Sequence, residues 1–145
     1  MTPRSGAPRR LLVDTCAWLA FFSARDQQHA RAHELMSLAI TGKHHLLTTQ
    51  LILAEVHRLL LFRAGIAPAA EAISRIEASP RVTVVFTDQA QHQAARDWLK
   101  RVGDQRITYT DATSFAVMNH RRCDAAISFD RDFVVAGFAL WSGAA

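Results

Sequence analysis

The sequence predicts an α/β protein, an α/β/α sandwich with a central parallel sheet and helices on both faces. Three observations lead there. Short apolar runs alternate with longer helical patterns from residue 11 to the end, as in a parallel sheet threaded by helices. The chain has 145 residues, half of them apolar and 21% charged, which suits one soluble domain with a single core. No internal repeat, low-complexity tract or linker divides that core.

Residues 1–8, MTPRSGAP, mix Pro, Gly, Ser and Arg without periodicity and read as a flexible leader, leaving 9–145 as the single domain. LLVD (11–14) reads as a buried strand, and the apolar residues after it, through Phe21 and Phe22, begin a first helix. Residues 24–41 place Ala32, Leu35, Met36 and Ala39 at helical spacing. HHLLTT (44–49) is a short strand, and the helix over 50–65 closes on Gly65. A further helix over 67–79 carries Pro68 in its first turn and stops before Pro80. VTVVFT (82–87) is β-branched and apolar, the clearest strand. Helices follow over 88–103, capped by Asp88, and over 109–122. AAIS (125–128) and FALW (138–141) read as short strands around the compact segment FDRDFVVAG.

Charge and cysteine usage narrow the function. Lys and Arg number 17 against 13 acids, for a net charge of +4, which permits a polyanionic partner without demanding one. Cys16 and Cys123 form no C-x-x-C pair, so they read as reduced thiols in a cytoplasmic protein. The basic, apolar opening has the outline of a secretory signal, but Asp14 interrupts the run. No stretch approaches a membrane span. No phosphate-binding loop or dinucleotide fingerprint occurs, and DTCAW lacks the second acid of the D-x-D-x-T phosphatases. His29 and His33, with Glu34 beside them, lack the H-E-x-x-H pattern and a third ligand, and read as a solvated helix face. His44, His45, His92 and His120 have no evident partners, and Trp18, Trp98 and Trp141 read as core or interface.

The acids carry the chemistry. Ligands of parallel α/β sheets gather at the carboxyl ends of the strands. Asp14 ends the first strand, Asp130 follows AAIS by two residues, and Asp132 lies just beyond. Asp111 opens a helix after Thr110. A helix-capping role accounts for Asp111 and Asp130 taken singly, and more readily for Asp88 and Asp26. Glu55 shares a helical stripe with Ile52, Leu59 and Phe62, so a carboxylate interrupts an apolar face, with Arg58 three residues on as one available partner. Four acids brought together would repel unless a divalent cation neutralised them. An all-oxygen set suits Mg²⁺ or Mn²⁺ rather than Zn²⁺, and such a cation activates water for phosphodiester hydrolysis.

LLVDT, TTQLILAEVHRLL, YTDATSFAVM and AAISFDRDF, in that order, resemble the four motifs of PIN-domain ribonucleases, and most closely those of VapC-type toxins from toxin–antitoxin pairs. The likeness runs from about residue 10 to the end. It implies a PIN-like fold in which Asp14, Glu55 and Asp111 match the three central acids and Asp130 the fourth, with Asp132 placed to assist or replace it. Asp14, Asp111 and Asp130 would hold the metal, and Glu55 would tune it or hold a second. Thr15 and Thr110 match small hydroxyl positions beside the acids. The implied activity is Mg²⁺- or Mn²⁺-dependent endoribonuclease cleavage leaving 5′-phosphate and 3′-hydroxyl ends. The implied partners are RNA, a cognate VapB-like antitoxin and a second copy in a homodimer. Cys16 departs from the usual Ser or Asn, a difference expected hardly to touch the mechanism. A non-catalytic PIN-like RNA- or protein-binding module is the alternative; it predicts loss of an acid, and none is missing.

Overall fold

The computed structural model describes residues 7–144; positions 1–6 of the predicted leader and the final Ala145 lie outside them. β1 (Arg10–Val13), β2 (His45–Thr49), β3 (Val82–Val85) and β4 (Ala125–Ile127) form one parallel sheet in the order β3-β2-β1-β4. Leu11 sits opposite both Leu46 and Ala125, and Leu46 opposite Val82. Leu11, Leu12 and Val13 are all fully buried. Successive strand side chains point to opposite faces, so both faces of the sheet are covered.

The cover comes from helices. α1 (Thr15–Phe22) packs on α2 (His29–Thr41) and α3 (Gln50–Ala64), and α3 packs on α4 (Ile66–Ala78). α5 (Gln89–Arg101) and α6 (Tyr109–His120) pack against each other, and the short α7 (Asp132–Val135) follows β4. α3 ends on Gly65, whose φ of +103° favours glycine and whose N–H reaches the carbonyls of Leu60 and Leu61. Trp98, Phe115, Phe133 and Phe138 interlock as an aromatic cluster beneath α5 and α6. Trp18, Trp98 and Trp141 are all buried. Among the described residues no helix is long and apolar enough to cross a membrane.

Several local expectations are corrected. The second helix starts at His29, because Asp26 Oδ1 accepts the Gln28 N–H at 2.8 Å and holds the preceding residues in a turn. The segment 138–141 forms only an isolated bridge, Ala126 to Leu140. Four apolar residues do not distinguish a strand from a packed loop. Several histidines have partners: His29 Nδ1 and His33 Nε2 lie 2.7 and 3.0 Å from the carbonyls of Ala20 and Phe21, tying α2 to the end of α1. His44 accepts the Arg9 N–H at 2.8 Å, and burial, then the Arg9 charge, pulls its pKa down.

Candidate active site

Because the strands are parallel, their carboxyl ends share one edge, and the acids collect there. Asp14 leaves β1 with extended backbone and occupies the N-cap position of α1, yet its side chain makes no cap hydrogen bond. The Ser128 hydroxyl instead donates to Asp14 Oδ2 at 2.9 Å, and the Cys16 thiol approaches the same oxygen at 3.5 Å. Ser128 lies just past β4, and its Oγ also accepts the Asp130 N–H at 3.0 Å. One hydroxyl therefore ties the Asp14 carboxylate to the Asp130 backbone, 116 positions on.

Asp111 arrives from α6. Thr108 caps that helix by accepting the Asp111 N–H at 3.1 Å, and Asp111 Oδ2 accepts the Thr108 N–H at 3.4 Å. Asp130 uses Oδ1 to accept the Asp132 N–H at 2.9 Å, which starts α7. Each acid keeps carboxylate capacity beyond these local bonds. Asp14, Asp111 and Asp130 each offer an oxygen within 4.8 Å of the others.

Electrostatics follow from that crowding. Burial first, then the Asp130 charge, raises the pKa of Asp14, against lowering bonds from the Thr15 backbone, Ser128 and Cys16. Burial and the charges of Asp14 and Asp130 push Asp111 up to about 6. Burial, then Asp14, pushes the Cys16 thiol up to about 12, so Cys16 stays a neutral donor rather than a nucleophile. Three oxygen-donor groups that resist sharing negative charge, with no cation paired to them among the described residues, fit a hard divalent cation.

The other predicted residues divide. Glu55 stands outside the three-acid group, and its Oε2 accepts from Thr15 Oγ1 at 2.8 Å. Its apolar stripe is corrected: α3 buries Ile52, Leu53, Val56 and Leu60, while Phe62 is 79% exposed and Arg58 makes no ion pair with Glu55. Asp132 also lies outside the group, its pKa raised by burial and by Asp130. Thr110 is half-buried in the first turn of α6. Ser128 escaped the sequence reading, and Cys16 is woven into the site more closely than expected, with the Phe129 N–H on its sulfur at 3.3 Å. No sequence signal marked Ser128, whose contact with Asp14 spans 114 positions.

Residues 11–139 match the PIN domain family. The chain is also 34% identical over 132 residues to the 23S rRNA-specific endonuclease VapC20 of Mycobacterium tuberculosis, covering 88% of this chain and 95% of that protein. The chain belongs to the VapC-type PIN-domain family. A VapC ribonuclease of Archaeoglobus fulgidus is 29% identical over 124 residues, covering 84% of this chain and 78% of the relative. The crystal structure of M. tuberculosis VapC20, described as a sarcin–ricin loop cleaving toxin, superimposes with a TM-score of 0.81 at 32% identity. That match covers 89% of this PIN-domain chain and 96% of the other. The PIN-domain match contains all four sequence-predicted acids, Asp132, Thr15, Thr110 and Ser128.

Proposed function

We propose that this PIN-domain protein is a metal-dependent endoribonuclease and the toxin of a toxin–antitoxin pair. The observation that carries this reading is the convergence of Asp14, Asp111 and Asp130 at the carboxyl edge of the sheet. Its likeness to proteins named as VapC ribonucleases supports the same reaction class. A binding module has no use for three mutually repelling carboxylates, so the non-catalytic reading is not favoured.

Asp14, Asp111 and Asp130 are the residues that would hold Mg²⁺ or Mn²⁺, one cation contacted directly or through water. Such a cation, when bound, neutralises the acids and lowers the pKa of coordinated water. Ser128 and Cys16 hold the Asp14 carboxylate in place, and Ser128 also anchors the Asp130 backbone. Thr15 holds Glu55 at the margin of the group, where its charge tunes the site or completes a second cation position. Asp132 and Thr110 are accessory. In the hydrolysis, water adds in line to the scissile phosphorus and the 3′ oxygen departs with a proton. The products are a 5′-phosphate and a 3′-hydroxyl. Exposed arginines such as Arg106 and Arg131 attract the RNA backbone.

The same reading makes the protein cytoplasmic, blocked by a VapB-like antitoxin and homodimeric. The sarcin–ricin loop cut by its M. tuberculosis relative makes 23S rRNA the first substrate to try. The test is to incubate ribosomal RNA with wild type and Asp14→Asn in Mn²⁺ and to map the ends. Cuts with 5′-phosphate ends that vanish in the variant support the reading; equal cutting by the variant overturns it.

A further inference from the structure

Two exposed aromatic residues stand at chain positions near the carboxyl edge of the sheet, where the acids collect. Phe86, the first residue beyond β3, is 72% exposed. Tyr109, the first residue of α6 and two before Asp111, is 39% exposed. The Tyr109 hydroxyl lies 2.7 Å from His92 Nδ1, and the two rings meet edge to face with centroids 5.7 Å apart. Parallel strands lie about 4.8 Å apart, so the end of β3 stands about 10 Å from the end of β1, where Asp14 sits.

These rings stand on a held framework. Thr87, next to Phe86, donates its N–H to Gln50 Oε1 at 3.0 Å and accepts from Gln50 Nε2 at 2.7 Å. Gln50 opens α3, just beyond β2. A capping box between Asp88 and Gln91 fixes the start of α5, from which His92 projects. The capping box between Thr108 and Asp111 fixes Tyr109 on the same turn as a candidate metal ligand. Both rings thus stay partly in water on backbone held by hydrogen bonds.

Resting on the nuclease reading, we propose that Phe86, Tyr109 and His92 form a stacking platform for unpaired RNA bases flanking the scissile phosphate. The carboxylates address only the phosphate, and backbone contacts carry no base information. Unstacked bases of single-stranded RNA present π faces that aromatic side chains accept, whereas bases inside a duplex do not. The platform thus favours loops and single strands over helices, and tolerates several sequences.

Tyr109 is the only tyrosine in the chain, so meta-fluorotyrosine incorporated during expression places one ¹⁹F probe at this site. The full chain carrying Asp14→Asn is titrated with a short unstructured RNA and with an abasic strand of equal length. The base-bearing strand should shift the ¹⁹F resonance and the abasic strand should not. Phe86→Ala and Tyr109→Ala should each weaken the base-bearing strand by about fivefold or more, leaving abasic affinity unchanged. Both positions are surface-exposed, and unchanged circular dichroism confirms folding. An equal response to both strands, or unchanged affinity in both variants, overturns the platform and leaves the nuclease reading standing. Binding of neither strand overturns both. A resonance moved only by an antitoxin makes the rings a protein interface instead.

Discussion

The Ser128 hydroxyl donates to Asp14 Oδ2 at 2.9 Å while its oxygen accepts the Asp130 N–H at 3.0 Å. The ends of β1 and β4 are thereby joined through one side chain, and two of the three clustered acids share an orienting group. Outer-shell partners of this kind change metal affinity by about 10–100-fold when removed. Ser128→Ala should weaken Mn²⁺ binding within that range, and Ser128→Thr should restore most of it. Isothermal titration of the three proteins tests this; an alanine variant with wild-type affinity contradicts the orienting role.

Glu55 is held by Thr15 rather than grouped with the three aspartates. Thr15→Val should therefore slow RNA cleavage while changing Mn²⁺ affinity less than Ser128→Ala does. Comparing cleavage rate with titrated affinity checks this. A loss of affinity as large as that of Asp14→Asn would place Glu55 among the principal ligands.

Asp111 has its pKa raised from 3.8 to about 6 by burial, then by Asp14 and Asp130. A carboxyl that holds its proton more tightly when folded stabilises the fold most below its unfolded pKa. That contribution is lost as pH rises through about 6. In chelator, Asp111→Asn should thus gain stability relative to wild type as pH rises from about 4 to about 6.5, and the gain should level off above that. Thermal melts of both proteins across that range test it; a constant difference in Tm contradicts the shift.

Ser114, fully buried on α6, is the one buried side-chain polar atom without a hydrogen-bond partner among the described residues. Leaving a hydroxyl unsatisfied costs about 1–3 kcal/mol. Ser114→Ala should raise stability by about 1 kcal/mol in urea unfolding, and a destabilised variant would mean the hydroxyl has a partner in solution.

What the sequence disclosed was local. β1 and Asp14 are legible because an apolar strand ending in an acid is a contiguous signal, and Asp88 because its capping box spans four consecutive residues. The Ser128 contact with Asp14 joins residues 114 positions apart, and a lone serine after a strand carries no trace of it. The Glu55 stripe misled because periodicity gives a face but not what covers it. α3 turns Ile52, Leu53, Val56 and Leu60 inward, while Phe62 near its far end meets no cover. His92 and Tyr109 meet only because α5 packs on α6, a tertiary fact.

The central claim is that Asp14, Asp111 and Asp130 jointly hold one divalent cation on which RNA cleavage depends. Isothermal titration of Mn²⁺ into wild type, Asp14→Asn, Asp111→Asn and Asp130→Asn tests it most directly. The account predicts binding by wild type and at least a roughly tenfold loss in each variant, by analogy with the 10–100-fold effects of even outer-shell partners. Wild-type affinity in all three variants would contradict it.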